Sequence, residues 1–477
     1  MLANSCHRRG RACARQRGGH PKRRMRTGDD QDHNRRPPAP GAGEILAPAA
    51  ALVAAESGGG TPCIPGEAGF IEKGTPEFRR AVLALFAAGF ATFALLYCVQ
   101  PLLPVLSREF GHDAARTSLV LSVSSAMLAC GLVATGPLSD AVGRTRVMIV
   151  ALLGAAVCTL GTAVMPTWPG VLAMRGLVGL CLSGVVAVAM TYLSEEIHPR
   201  VLGLAMGLYI GGNAIGGMTG RLLVGVIVDF VSWRVAVGVM GALALGAAAV
   251  FWANVPPSRH FRPRPLRVAG LVEGFRLHLR DAALPWLFLE GFLLMGGFVT
   301  LFNYISYRLL AAPYQLSQAV VGSVSAVYLT GIYSSARVGA LADRLGRRRV
   351  LWAAIAVMLV GVLVTLATPL GLILAGMLIF TAGFFGAHSV ASSWIGRRAR
   401  QARGQASSLY LLSYYLGSSI AGTAGGVFWH RAGWTGVGCF IAGLLAVALL
   451  VALYLFRVPP LESSNLPGGG ARGTGPR

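Results

Sequence analysis

The stretch GPLSDAVGRTRVM occupies residues 136–148, and a second stretch, GALADRLGRRRVL, occupies residues 339–351. Aligned at an offset of 203, the two stretches share seven of their thirteen residues. Each comes between two long apolar runs, so each is a polar turn that links two helices. The chain is therefore predicted to contain two related halves. The matched positions that we single out are Gly136, Asp140, Gly143, Arg144 and Arg146 in the first turn and Gly339, Asp343, Gly346, Arg347 and Arg349 in the second.

The composition indicates that most of the chain lies in a bilayer. Only 13% of the 477 residues are charged, and 54% are hydrophobic, whereas soluble domains carry about 25% charged residues. The net charge of +23 does not indicate nucleic-acid binding, because the basic residues lie in an N-terminal tail and in short turns between apolar runs. The eight cysteines form no CxxC pair and no metal-ligand spacing, so we expect no metal and no cofactor.

Twelve apolar runs are long enough to cross a hydrocarbon core, which takes about 20 residues of helix. They lie near 81–104, 116–138, 147–166, 168–192, 202–227, 233–255, 284–307, 317–338, 350–368, 370–395, 405–428 and 434–457. The sequence thus predicts an all-α membrane protein with twelve transmembrane helices in two pseudo-symmetric six-helix bundles. Two related halves with a site between them are typical of transport by alternating access.

The predicted domains follow from these runs. The bundles comprise residues 79–256 and 284–458, and residues 257–283 form a cytoplasmic linker between them. Residues 1–78 form a disordered basic tail, and residues 459–477 form a second disordered tail. The first tail has no signal-peptide pattern. Two interpretations of it stay open: a cytoplasmic tail that touches anionic lipid, or an extension upstream of the true start, which we slightly favour.

The loop arginines predict the orientation. With the N-terminus inside, the inner connections hold eighteen arginines and the outer connections hold five. Because cytoplasmic loops carry the excess of basic residues, both termini are predicted to be cytoplasmic.

The paired turns also suggest a gate. A topological anchor would explain their arginines, but not an aspartate at the same place in both halves. Asp140 ends the second span at the face where the eleventh span begins, near Gly404, with the positive end of its helix dipole. We predict that Asp140 contacts that helix start when the cytoplasmic gate is shut, and that Asp343 does the same with the fifth span.

These turns resemble the signature loop of the major facilitator superfamily, in its proton-linked efflux branch. The stretch RGLVG at 175–179 resembles the arginine–glycine motif of drug–proton antiporters. Longer stretches are similar to bacterial inner-membrane transporters of this superfamily: YCVQPLLPVLSREFG (97–111), MTYLSEEIHP (190–199), GFLLMGGFVTLFNYISYRL (291–309), AHSVASSWIG (387–396) and GQASSLYLLSYYLGSSIAG (404–422). The resemblance implies a multi-pass inner-membrane exporter that binds protons and a small-molecule substrate, and we expect a monomer.

One stretch departs from the antiporter pattern. The fifth span reads GLYIGGNAIGGMTG at 207–220, with glycines but without the usual glycine–proline pair. Its small residues should still pack tightly against a neighbouring helix. The departure weakens the link to drug export in particular.

Charged groups inside the bilayer indicate function by default. We predict that Arg175 and Glu290 take part in proton coupling, Arg175 by the resemblance and Glu290 because it is a protonatable carboxylate. The alternative for Glu290 is that it reaches the inner interface. Arg221 is expected to reach the outer interface, and His388 to be a hydrogen-bonded packing residue.

Polar and aromatic side chains in spans 1, 5, 7 and 11 could line a central cavity for an amphipathic or aromatic substrate. The cavity residues that we predict are Tyr97, Gln100, Tyr209, Asn213, Asn303, Tyr410 and Tyr414. Tyr415 belongs to the same cluster. Tyr304 and Tyr307 are expected to lie in the outer aromatic belt instead.

The leading hypothesis is proton-coupled efflux of small organic molecules, drug-like or sugar-like. The alternative is a proton-coupled symporter that takes up a metabolite. A different class, a non-transporting membrane sensor, stays open. The sequence contains no P-loop, HExxH or GxSxG site, so we do not expect an enzyme.

Overall fold

The computed structural model describes residues 69–263 and 268–458, and these ranges are almost entirely helical. Residues 1–68 and 459–477, and with them most of the two predicted tails, lie outside the described residues. Within those ranges, the one extended pairing is an isolated bridge between Ile71 and Ile197.

The first half contains eight helices, of which α2 and α6 are short. They are α1 (Pro76–Tyr97), α2 (Leu103–Phe110), α3 (Ala114–Val142), α4 (Arg144–Val164), α5 (Trp168–Val186), α6 (Ala189–Glu196), α7 (Pro199–Phe230) and α8 (Trp233–Asn254). The predicted linker contains a helix that the sequence analysis did not anticipate, α9 (Val268–Leu279). The second half follows with α10 (Leu284–Leu310), α11 (Gln318–Ser323), a 3₁₀ turn (Val324–Val327), α12 (Tyr328–Leu345), α13 (Arg347–Val364), α14 (Leu370–Arg398) and α15 (Arg403–Arg457).

These helices provide the twelve predicted crossings. Ten described helical stretches are long and apolar enough to cross a membrane, and α15 is counted once among them. The 55 residues of α15 would extend about 80 Å, more than twice a hydrocarbon core. Non-helical backbone at Ala432 and Gly433 divides α15 into two crossings. Helix α13 adds the last one, since its three arginines are confined to its first turn.

The crossings define two faces of the bundle. The start of α1, both charged turns and α9 lie at one end, which we call the turn face. The other end is the opposite face. Helix pairs α3–α15 and α7–α11 join the two halves, so the halves meet along a central interface.

The first crossing begins and ends earlier than predicted. It was expected at 81–104, but α1 starts at Pro76 and ends at Tyr97. Pro101 and Pro104 have no N–H to donate, so the chain turns and resumes as α2. The predicted disorder up to residue 78 is also wrong at its end. Ile71 is buried, and its N–H donates to the carbonyl of Glu196 at 2.8 Å.

Glycines let helices of the same half approach backbone to backbone. A Cβ on Gly216 of α7 would lie 2.1 Å from the Phe90 carbonyl oxygen in α1, and one on Gly417 of α15 would lie 2.1 Å from that of Phe292 in α10. The tight packing predicted for the run 207–220 is found at Gly212, Gly216 and Gly220, but not at Gly207 or Gly211, which have nothing within 4 Å. The two contacts are equivalent in the two halves, so the duplication extends from the turns to the helix packing.

Asp281 fixes the start of α10 at the turn face. Its Oδ1 accepts hydrogen bonds from the backbone N–H groups of Ala283 at 2.8 Å and Leu284 at 2.9 Å, and from Arg398 Nε at 2.6 Å. Burial by itself would raise the pKa of Asp281, but these hydrogen bonds outweigh it, so the pKa lies below the ordinary value of 3.8. The carboxylate therefore joins the linker, α10 and the end of α14.

We expect Asp281→Asn to lower the apparent melting temperature by about 2 °C or more at neutral pH, because the charge-assisted bond to Arg398 is lost. A depressed folded-state pKa stabilises the fold above the unfolded value of 3.8, and that contribution is lost as the pH falls through the folded value. Melting curves of the purified protein from pH 7 to pH 3 should show the two proteins converging only in acid. Glu273→Gln, which changes an exposed acid of α9, is the control. A difference that persists unchanged in acid would contradict this assignment.

Candidate functional site

The two charged turns have the same backbone and the same ion pair. Gly143 and Gly346 have φ values of 112° and 90°, which only glycine adopts without strain. Asp140 pairs with Arg144 at 2.5 Å, and Asp343 pairs with Arg347 at 2.6 Å. Each turn is therefore closed by an aspartate and by the arginine four residues later.

Each turn is also tied to the rest of its own half. Arg144 binds Glu195 at 2.8 Å, and Asp343 binds Arg397 at 3.2 Å. The outer arginines of the motif, Arg146 and Arg349, are exposed. Gly136 has open space where a Cβ would stand, and Gly339 lies beside Ser389 of its own half.

The halves are in contact at the opposite face. Asp229, near the end of α7, accepts hydrogen bonds from the backbone N–H groups of Gln318 at 2.9 Å and Ala319 at 2.8 Å, at the start of α11. A Cβ on Gly225 would lie 2.5 Å from the Gln318 carbonyl oxygen, and one on Gly322 would lie 2.8 Å from that of Arg221. These helices touch backbone to backbone.

At the turn face, the described parts of the two halves are not in contact along the same sides of these helices. Eighteen residues make five helical turns, so Gly207 lies on the same face of α7 as Gly225. A Cβ on Gly207 would meet nothing within 4 Å. Ala340, near the turn-face end of α12, is also exposed. The structure is therefore closed at the opposite face and open at the turn face.

Because the turn face is open, Asp140 and Asp343 pair, within the described part of the chain, only with residues of their own half. Among the described residues, the hydrogen bonds and ion pairs of the Asp140 and Asp343 carboxylates are to arginines of their own half. The predicted contacts with the start of the eleventh crossing and with the fifth crossing are not made here. They stay a prediction for the conformation in which the turn face is closed.

Arg175 is fully buried in α5 and binds only neutral oxygens among the described residues. Its guanidinium donates to the carbonyls of Leu95 and Leu96 at 2.9 Å each and to that of Val120 at 3.3 Å. The first two of these carbonyls belong to the last turn of α1, just before the chain leaves the helix. Arg175 therefore joins α5 to α1 and α3 in this conformation, and its role in proton coupling stays a prediction.

Arg221 is only 3% exposed, so the expectation that it reaches the outer interface is wrong. Its Nε donates to Gln100 Oε1 at 2.6 Å, and one terminal nitrogen donates to the Gly217 carbonyl at 2.5 Å. Gln100 in turn donates to Asn303 Oδ1 at 2.8 Å. Gln100 belongs to the first half and Asn303 to the second, so this bond joins the two halves.

Aromatic rings surround the Arg221 cation. Its central carbon lies 4.5 Å from the Tyr97 ring centroid, 4.7 Å from that of Tyr328 and 5.8 Å from that of Phe302. Tyr97 was predicted as a cavity residue, whereas Tyr328 and Phe302 were missed. A lone arginine within an apolar run was the signal that could have found this cluster.

Glu290 lies in α10, nearer the turn face, and its side chain is fully buried. Neither carboxylate oxygen has a hydrogen-bond partner among the described residues. The alternative in which Glu290 reaches the inner interface is therefore wrong for this conformation. Tyr410 packs against Gly291, the residue after Glu290, and its hydroxyl is 2.8 Å from His388 Nδ1.

The remaining predicted cavity residues divide into two groups. Tyr410 and Tyr414 join His388 in a stack whose ring centroids are 4.9 to 6.2 Å apart. Tyr209 and Asn213 instead contact Gly89, between α7 and α1. Tyr304 is not a belt residue, because it is fully buried and donates to the Gly422 carbonyl at 2.8 Å.

The site contains hydrogen-bonding and aromatic groups that can bind a ligand, and one carboxyl group that can carry a proton. The described residues contain no group of three or more His, Cys, Asp or Glu side chains that could hold a metal ion. An aromatic column extends from Arg221 through Tyr328, Phe298, Phe384 and His388 to Tyr410, with successive ring centroids 3.9 to 5.9 Å apart. It places one buried cation and one buried carboxyl group along the same path.

Comparison with known proteins gives consistent matches. The sequence profile of the Major Facilitator Superfamily matches residues 85–336 and 291–476. The chain is 62% identical over 388 residues to the inner membrane transport protein YnfM of Escherichia coli strain K12, covering 81% of this chain and 93% of that protein. It is 46% identical over 388 residues to the MFS-type transporter YybF of Bacillus subtilis strain 168, covering 81% of this chain and 96% of that one.

Solved structures share the fold at low sequence identity. A point mutant of the nucleoside transporter NupG superimposes with a TM-score of 0.66 at 14% identity, covering 79% of this chain and 100% of its own. A bacterial homologue of the human lysosomal transporter Spinster, in an inward-facing and occupied conformation, gives a TM-score of 0.65 at 12% identity, covering 80% and 98%. The predicted fold class is confirmed.

Gly225→Val should force α7 and α11 apart at the opposite face, because its side chain has no room beside the Gln318 carbonyl. Separation of the helices there favours the conformation in which the turn face is closed. Spin labels at Leu204 and Leu341, which are 46% and 44% exposed, should then report a shorter distance by double electron–electron resonance. Gly207→Val places the same side chain on the same helix face in open space, so it should not shorten that distance. Equal distance distributions in the two variants would contradict the two-face description.

Proposed function

The chain belongs to the major facilitator superfamily, and from this premise we propose that it is a proton-coupled exporter of small organic molecules that works by alternating access. Relatives of this chain are named as transporters. The substrate class, the direction and the proton coupling are our proposals.

We place the turn face in the cytoplasm. The short connections at that face carry Arg144, Arg146, Arg344 and Arg347 to Arg349, which favours the cytoplasmic side. Both termini are then cytoplasmic, and the membrane is the inner membrane of a bacterium, as the name of the Escherichia coli relative suggests. The conformation described above is accordingly the one open to the cytoplasm.

The two faces of the central interface support alternating access. Asp229 and Gly225 close the opposite face with backbone contacts, and the same helix faces separate at the turn face. Closing the turn face would bring Asp140 and Asp343 towards the helix starts predicted for them. The twelve-helix unit contains both halves of such a gate, so we propose that a monomer suffices.

Buried Glu290 is the single observation that carries the proton coupling. An ionised carboxylate without partners is strongly disfavoured in the hydrocarbon core, so Glu290 should hold a proton while buried. The proton is exchanged when the cycle exposes Glu290, which is still enclosed in the conformation that is open at the turn face. Tyr410 and His388 lie beside Glu290 and are joined to each other by a 2.8 Å hydrogen bond. Both side chains can donate and accept hydrogen bonds, so they provide a route for a proton away from Glu290.

We expect Glu290→Gln to abolish transport driven by a pH gradient, because glutamine keeps the shape of the side chain but exchanges no proton. The test uses purified protein in liposomes with an imposed pH gradient, and dyes, antibiotics and sugars as probes. An exporter moves substrate against the direction of the protons, whereas an uptake symporter moves both together.

Glu109→Gln, which removes an exposed acid at the opposite face, is the matched control for loss of one carboxylate. Proton-driven transport that survives Glu290→Gln at the rate of this control would overturn the role of Glu290. Substrate and protons moving in the same direction would replace export with uptake.

Asp140→Asn and Asp343→Asn should each slow transport roughly tenfold, the effect of about 1.4 kcal/mol lost from the closed turn face. Expression and melting temperature should change little, because both aspartates are partly exposed. Transport in liposomes measures the effect, and Glu72→Gln, an exposed acid at the same face, is the control. Full transport in both variants would remove the gating role.

A further inference from the structure

Arg221 is a buried cation without a buried anion beside it. It lies about 13 Å of helix from the end of α7 at the opposite face, well within the crossing, and only 3% of it is exposed. Among the described residues, no carboxylate lies within ion-pair distance of its guanidinium, and Glu290 belongs to another part of the aromatic column. An uncompensated charge at such a place is costly.

Arg221 is satisfied less completely than Arg175, the other arginine that lies enclosed within the crossings in the described part of the chain. Arg175 donates to three carbonyls from three different nitrogens. Arg221 donates from two, to Gln100 and to Gly217. The Tyr328 hydroxyl lies close to its guanidinium, and three aromatic rings surround the rest. An aromatic ring face stabilises a cation but does not accept a conventional hydrogen bond from it. The guanidinium of Arg221 therefore has N–H groups that can still donate to a ligand.

Further unused donors surround the same cation. The hydroxyl groups of Tyr97 and Tyr328 and the amide nitrogen of Asn303 are buried and have no hydrogen-bond partner among the described residues. Ser306 and Ser325 line a small cavity beside Gln100 and Arg221. The cluster thus combines a cation with groups that can donate hydrogen bonds, contributed by both halves of the protein.

We propose that the transported molecule is a small organic anion whose carboxylate binds Arg221, with its apolar body against the aromatic column. This inference rests on the proposed function and names the substrate class of that site. A guanidinium fork matches the two oxygens of a carboxylate, and Tyr97, Tyr328 and Asn303 can donate to the same oxygens. A cationic drug would be repelled by Arg221.

The position of Arg221 also gives the anion a role in the cycle. Tyr97 and Gln100 come from the first half, whereas Tyr328 and Asn303 come from the second. An anion bound among them draws the two halves together around one charge. Binding energy is thereby coupled to the interface that must rearrange.

Sets of similar molecules that differ in charge test whether the site prefers anions, and the natural substrate need not be known. We would measure ligand-induced shifts in melting temperature in lipid nanodiscs for three sets of molecules: benzoate, benzamide and benzylamine; hexanoate, hexanamide and hexylamine; and glucuronate, glucose and glucosamine. Wild-type protein should be stabilised by one or more of the anions and by none of their neutral or cationic counterparts. Stabilisation by a neutral or cationic member, or by no member at all, would overturn the proposal.

Variants locate the anion. Arg221→Gln should weaken binding of the stabilising anion about 10- to 100-fold, the loss of hydrogen bonds from a charged group. Arg221→Lys should recover part of that loss, because it restores the charge but not the fork. Tyr328→Phe should weaken binding by a smaller factor while it keeps the ring against Arg221, so it remains informative if Arg221→Gln does not fold.

Arg431→Gln, which removes an exposed arginine at the opposite face, is the control for net charge and should bind the anion as the wild type does. Equal weakening by this control, or unchanged affinity in both Arg221→Gln and Tyr328→Phe, would overturn the assignment.

The same variants separate this inference from the proposed function. If anions bind through Arg221 and move without protons, the anion site stands and the coupling fails. If a neutral molecule moves with protons that depend on Glu290, the coupling stands and the anion site fails. Anion binding that survives Glu290→Gln while transport is lost would support both.

Discussion

The low dielectric of the hydrocarbon core is the constraint on which this structure depends. Among the described residues, Arg175, Arg221 and Glu290 lie enclosed within the crossings, and each meets that constraint differently. Arg175 binds backbone carbonyls, which hold α5 against the end of α1. Arg221 binds two oxygens and three ring faces. Glu290 has no hydrogen-bond partner in the described part of the chain. The incomplete satisfaction of Arg221 and Glu290 is the ground on which we propose that one binds a ligand and the other a proton.

The second constraint is that helices must pack tightly within each half, while the interface between the halves must be able to open. Glycines within each half fix helices rigidly, since Gly216 and Gly417 leave no room for a Cβ beside the carbonyls of their neighbours. At the central interface, Gly225 gives the same close contact at one face, whereas Gly207 on the same side of α7 faces open space. Rigid halves with a divided interface can rock without repacking. The bilayer thus selects closely packed helices, and the interface permits motion.

The sequence was sufficient to predict what the bilayer and the duplication dictate. The span count follows because each crossing needs about 20 apolar residues, and the paired turns reveal the two halves. The direction in which a side chain points is harder to predict, because it depends on the rotation of each helix. Arg221 was misplaced for this reason. Tyr328 was missed because the 3₁₀ turn Val324–Val327 before α12 winds with about 3.0 residues per turn and changes the phase of the helix. The helix α9 was missed because the linker reads as polar and basic.

Alignment of the two halves shows at which positions only one half carries a charged residue. Gly89 meets Tyr209 in the first half as Gly291 meets Tyr410 in the second, which aligns α1 with α10 at an offset of 202. Glu290 then corresponds to Ala88. Gly216 and Gly417 align α7 with α15 at an offset of 201, so Arg221 corresponds to Gly422. Each half therefore carries an ionisable group that the other lacks at the equivalent position. The two groups lie at different depths along one aromatic column. Under the transport cycle that we propose, rocking of the halves would expose the carboxyl group and the cation at different faces. Two sites of unlike charge on rigid halves that move together would then couple a proton to a substrate.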